Sequence, residues 1–160
     1  MKRALLVLVV LVVGYGGVRW LVGALASDET RIRWVVEEMV AGFNEGSAKR
    51  ATSGLAETWK HEGTELRRDD LRGYLLAEFQ QQRSRKGRRL TLRVEVPEDA
   101  LQVEVKGERA ALGLEARFEK LRGEEWQPLW RVHVDAALAR GEDGWKIVET
   151  TKEDLEGRGL

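Results

Sequence analysis

The sequence predicts an α+β domain in which three helices precede a meander of four or five antiparallel strands and pack on one face of the sheet. Two observations carry this expectation. From Ile32 to Phe79 apolar residues recur at the 3.6-residue period of a helix, and from Leu90 onward they recur every second residue, as in a half-buried strand. A third is the punctuation: Pro97-Glu98-Asp99, Lys106-Gly107-Glu108, Arg122-Gly123-Glu124-Glu125 and Gly141 to Gly144 each interrupt the alternation with turn-forming residues.

Residues 1–26 stand apart from this pattern. Lys2 and Arg3 are followed by ten apolar residues, Ala4 to Val13, and Ala24-Leu25-Ala26 forms a small-x-small site before Ser27. That arrangement fits a secretory signal peptide. It also fits an uncleaved apolar helix, because Ala4 to Ala26 is 23 residues long and about 20 suffice to cross a bilayer. Arg19 and Trp20 then lie near the outer interface, where a snorkelling cation and an indole are both at home. Either way the segment is a signal peptide or a transmembrane anchor, and the expected location of the rest is outside the cytoplasm: membrane-anchored in the cell envelope, periplasmic or secreted. The domain proper is expected over 27–153, with 154–160 as a C-terminal tail.

The first helix starts at Ser27 or Asp28 and runs to about Glu45. Ile32, Val35, Val36, Met39, Val40 and Phe43 fall on one face, and Asn44-Glu45-Gly46 ends it. Ser47 caps a short second helix with Ala48, Ala51, Leu55 and Trp59 on its stripe, weakened by Gly54. Lys60 to Arg68 reads as a polar connection with a short strand near Thr64 to Leu66. Asp69 or Asp70 caps the third helix, whose stripe is Leu71, Leu75 and Phe79, with Tyr74 alongside. The strands follow: Leu90 to Val96, Leu101 to Val105, Ala110 to Phe118, Trp130 to Leu138, and Trp145 to Val148.

Composition narrows the chemistry. The 160 residues contain no Cys, which excludes a disulfide scaffold, a thiolate zinc site and a cysteine nucleophile. Two scattered His, with no metal-ligand spacing, no Gly-rich phosphate loop and no nucleophile motif, point to neither a metal nor a cofactor. Residues 27–160 hold 24 basic and 27 acidic side chains, a poor balance for nucleic-acid binding. The exception is local: Arg83, Arg85, Lys86, Arg88 and Arg89 form a basic patch, read first as a solvated helix end whose charges complement the helix dipole and second as a surface for anionic headgroups or a polyanion.

The order of elements resembles the nuclear-transport-factor-2-like superfamily, which includes the SnoaL-like and ketosteroid-isomerase-like proteins. The resemblance rests on Ala41-Gly42-Phe43-Asn44-Glu45-Gly46 closing the first helix, on the short element with Leu55 and Trp59, and on the helix after Arg68. It rests most on Glu142-Asp143-Gly144-Trp145-Lys146-Ile147-Val148 opening the last strand, and it spans about Thr30 to Thr151. It implies a cone, with a strongly curved sheet wrapped round the helices and a pocket between them. It does not imply one function, because members include enzymes, ligand binders and interaction modules.

Enzymes of this kind place carboxylates, Tyr or His inside the pocket. Here the inward strand positions are almost all apolar. The catalytic candidates are Tyr74, His133 and Asp135. Parity places His133 and Asp135 on the face opposite Val132 and Val134, together with Arg93, Glu95, Glu115 and Arg117, so cross-strand charge pairing is the expected use of that face. His61, in the polar connection, is expected to be solvated. Candidate pocket-lining residues are Trp34, Phe43, Trp59, Tyr74, Phe118, Trp130 and Trp145. The expected function is therefore an exported or tethered, non-enzymatic module binding a small apolar ligand or another envelope protein. The alternatives are an acid–base enzyme of the isomerase, cyclase or dehydratase type, and a structural subunit forming a homodimer through its sheet.

Overall fold

The computed structural model describes residues 26–83 and 90–157. The expected N-terminal apolar helix, and Arg85, Lys86, Arg88 and Arg89 of the basic patch, lie outside the described residues. Among the described residues no helix is long and apolar enough to cross a membrane.

Helix α1 (Asp28–Asn44) begins where Ser27 accepts a hydrogen bond from the Thr30 N–H at 3.2 Å. Asp28 is left free to tie the helix to the far end of the chain: it accepts from the Trp145 indole N–H and from Arg140, each at 3.2 Å. Ile32 and Val36 are buried against the sheet. Ser47 then caps α2 (Ala48–Ala51), which is a single turn. The expected continuation through Leu55 and Trp59 is a strand instead, β1 (Leu55–His61). Leu55 and Trp59 are four apart and both buried, which imitates a helical stripe. Residues four apart share a face of a strand as well, and only Glu57 between them departs from the alternation, exposed where the pairing of β1 with the last strand is irregular between Leu55 and Lys60.

The polar connection is a hairpin. Glu62 and Gly63 both have positive φ, 50° and 81°, as a two-residue type I′ turn requires, and β2 (Thr64–Arg67) pairs back on β1. Helix α3 (Arg68–Gln81) follows without a side-chain cap; Asp69 and Asp70 lie in its first turn, where they complement the helix dipole rather than capping it.

The rest of the sheet is β3 (Leu92–Glu95), β4 (Leu101–Lys106), β5 (Arg109–Arg122), β6 (Glu125–Gly141) and β7 (Gly144–Gly157). The order is β2-β1-β7-β6-β5-β3, with β4 also paired to β5, so among the described residues the sheet has seven strands rather than four or five. It is mixed rather than antiparallel, because β1 runs parallel to β7. The two additional strands come from the stretch that reads as helix and polar connection. β7 also continues past the expected boundary at 153, to Gly157. The 14- and 17-residue strands β5 and β6 form the spine. β3 and β4 share one edge of β5, at its C-terminal and N-terminal halves respectively. The helices cover the face carrying Leu112, Ala116, Val132, Ala136 and Leu138, all buried.

Candidate functional site

Between α1, α3 and the covered sheet face lies a cavity of about 550 Å³. Its size falls in the range of small-ligand pockets. Strand parity supplies most of its wall: Leu112, Leu114, Ala116 and Phe118 from β5, and Trp130, Val132, Val134 and Ala136 from β6. Helix α1 adds Met39, Val40 and Phe43, and α3 adds Leu71, Tyr74 and Leu75. One end is an aromatic wall. Phe43 meets Phe79 and Phe118 edge-on at 5.1 and 5.7 Å, and Phe118 stacks on Trp130 at 4.8 Å.

The few polar side chains that join this lining come mainly from β1 and β7. Which residues of β7 face inward is decided by a bulge. Leu138 pairs with Ile147, but Ala137 pairs with Glu149, so Val148 is an extra residue. Trp145 and Ile147 face in before it; after it Thr150 and Lys152 do, opposite Ala136 and Val134. On the neighbouring β1, Trp59 and His61 share the inward face. His61 Nδ1 and Thr150 Oγ1 are hydrogen-bonded at 3.0 Å, which leaves the second ring nitrogen, Nε2, for another partner. The Trp59 ring lies 5.6 Å from that of His61, and its indole N–H is buried without a hydrogen-bond partner. Such an orphaned donor costs about 1–3 kcal/mol. The Lys152 ammonium sits 5.1 Å over the Trp130 ring and 3.6 Å from Asp154, which in turn accepts from the Trp130 indole N–H at 3.0 Å.

Five of the expected pocket-lining residues, Phe43, Trp59, Tyr74, Phe118 and Trp130, meet at this cavity. Two lie elsewhere. Trp34 is 40% exposed on the outer side of α1, and Trp145 is buried in the main core with its N–H held by Asp28. Of the catalytic candidates, Tyr74 reaches the rim, 56% exposed. His133 and Asp135 are on the opposite face of the sheet, hydrogen-bonded to each other at 3.3 Å. They line a separate outer groove of about 850 Å³ with Glu104, Glu115, Arg117 and Glu149. Its charges face water and partly pair: Lys106, 2.8 Å from Glu104, lowers that carboxyl below its ordinary range and is itself raised. The inner cavity is the better candidate, since its walls are apolar and its few polar groups lack full partners. His61, expected in solvent, is the residue that sequence reasoning missed. Its signal was the Glu62-Gly63 turn, which makes Lys60 and His61 the end of a strand. Arg83, the one described member of the basic patch, bridges to Leu90 through the backbone. Among the described residues no group of three or more His, Asp or Glu is placed to hold a metal ion.

No protein-family model matches the chain, and no curated protein matches it. Solved structures do. One is an NTF2-like protein with a cystatin-like fold from Novosphingobium aromaticivorans, 13% identical, with a TM-score of 0.65 over 82% of this chain and 84% of that one. A nuclear transport factor 2 (NTF2-like) superfamily protein from Salmonella enterica is 11% identical, with a TM-score of 0.60 over 83% of this chain and 94% of that one. The CaMKII hub of S. rosetta is likewise 11% identical, with a TM-score of 0.60 over 81% and 98%. The curved mixed sheet, the helices it wraps and these likenesses together show that the chain has the nuclear-transport-factor-2-like cone fold.

Proposed function

We propose that the chain is a non-enzymatic binding module that holds a small, predominantly apolar ligand inside the cone. The observation that carries this reading is the make-up of the cavity: about 550 Å³ walled by aliphatic and aromatic side chains, with no Asp or Glu among the described residues that line it. Such a space favours apolar surface removed from water, and it lacks the inward carboxylate of an acid–base pair. Titration of the full-length chain with a neutral apolar fluorophore such as N-phenyl-1-naphthylamine tests it. Saturable binding near one per chain, with quenching of tryptophan emission, is expected, since Trp59 and Trp130 line the space. Absence of saturable binding overturns the reading.

The second reading, an acid–base enzyme, is favoured by one observation: His61 faces the cavity with a free ring nitrogen. It requires that His61→Gln abolish turnover of a substrate while leaving that substrate bound.

We also propose that the module works at the cell envelope, exported or tethered by residues 1–26. Lys2 and Arg3 before the apolar run Ala4 to Val13 support this. Sequencing the N-terminus of the protein recovered from cell fractions tests it. A start at Ser27 identifies a cleaved signal, and an intact N-terminus in the membrane fraction identifies an anchor. An intact chain in the cytosol overturns both.

A further inference from the structure

We propose that the ligand held in the cone is an amphipathic monocarboxylate, its tail against the apolar wall and its carboxylate between Lys152 and His61. This rests on the binding-module reading and adds the chemistry of the head group. The polar atoms of the cavity are one-sided. Among the described residues Lys152 is the only formally charged side chain in its lining. His61 offers Nε2–H as a further donor in the tautomer in which Nδ1 accepts from the Thr150 hydroxyl, the one a bound carboxylate selects. His61 and Lys152 are brought near each other by topology. His61 pairs directly with Thr150, and Thr150 and Lys152 are successive inward positions of β7, about 7 Å apart.

Lys152 is free to turn. Its contact with Asp154 is long, 3.6 Å, and Asp154 keeps the Trp130 N–H at 3.0 Å when the ammonium leaves. A single lysine with neutral donors balances one negative charge. A phosphate monoester brings nearly two, which the lining does not match. A carboxylate therefore fits the head site, and an unbranched or aromatic hydrocarbon fits the wall of Phe118, Val132 and Val134.

The test compares decanoate with decan-1-ol, the same chain with a neutral head, by calorimetric titration of the full-length protein at neutral pH and below the micellar concentration. Decanoate is expected to bind roughly tenfold or more tightly than the alcohol, the gain of a charge-assisted hydrogen bond. Lys152→Gln is expected to bring the two affinities together. Lys106→Gln, which removes the same charge from the outer hairpin, is expected to preserve the gap. Equal or tighter binding of the alcohol overturns the carboxylate proposal while leaving the apolar module intact, as does a gap that survives Lys152→Gln. Binding of neither compound overturns both.

Discussion

Asn44 shows how much one side chain settles. Its Nδ2 donates to the Val94 carbonyl at 2.9 Å and its Oδ1 accepts from the Val94 N–H at 2.7 Å, as an adjacent strand would. The end of α1 thus satisfies the outer edge of β3, whose other edge is taken by β5. Asn44→Ala is expected to cost about 1–3 kcal/mol, because two part-buried backbone groups lose their partners; Asn44→Asp, which keeps the acceptor and loses the donor, should fall between. Urea denaturation measures both. At the surface, the lowered Glu104 carboxyl gives a pH-dependent term with a definite sign. Its pairing with Lys106 is present above the ordinary carboxylate range and is lost as the pH falls through the lowered value. Glu104→Gln should therefore lower the melting temperature slightly at neutral pH and not at strongly acid pH, where the wild-type carboxyl is also neutral. Both side chains are well exposed, so the effect is small.

At the scale of elements, the bulge at Val148 matters most. A strand has a period of two, so one inserted residue exchanges its faces. Without it, Glu149, Thr151 and Glu153 would turn toward the apolar cavity in place of Thr150 and Lys152. Deleting Val148 is expected to abolish cooperative unfolding and near-ultraviolet circular dichroism, since burying unpaired carboxylates costs several kcal/mol. The join between α1 and α2 is equally specific. Gly42 is buried, and a Cβ there would meet the Ala51 backbone nitrogen at 2.5 Å. Gly42→Ala is expected to destabilise by about 1–3 kcal/mol, as overpacking does, with the shift read in the denaturation midpoint.

For the molecule as a whole, cavity and core compete for the same residues. Val132 and Ala116 belong to a buried cluster that also includes Val94, yet both border the open space. Filling that space should strengthen the fold and empty the site. Ala116→Leu is expected to add about 0.5–2 kcal/mol of stability, the usual gain from filling a cavity, and to weaken binding of the neutral fluorophore at least severalfold. Thermal unfolding and titration of one variant measure both effects. A variant that gains stability and still binds would place the ligand outside the cone.

The sequence by itself determined the class of fold and the sidedness of the long strands. The change of period near Leu90, and the strict alternation around Val132 and Val134, put apolar residues inward and His133 and Asp135 outward, because periodicity is a local property that hydrophobic burial reads directly. The same local signals placed Phe43, Phe118 and Trp130 on inward faces. Only the tertiary structure decided the rest. Leu55 and Trp59 imitate a helix because residues four apart share a face in a strand as well, and the Glu57 between them is left exposed where the pairing with β7, some ninety residues distant, is irregular. For the same reason His61, Thr150 and Lys152 could not be brought together from the chain alone: a parallel pairing aligns β1 with β7, and a bulge with no mark of its own in the sequence sets which of their side chains face the cavity.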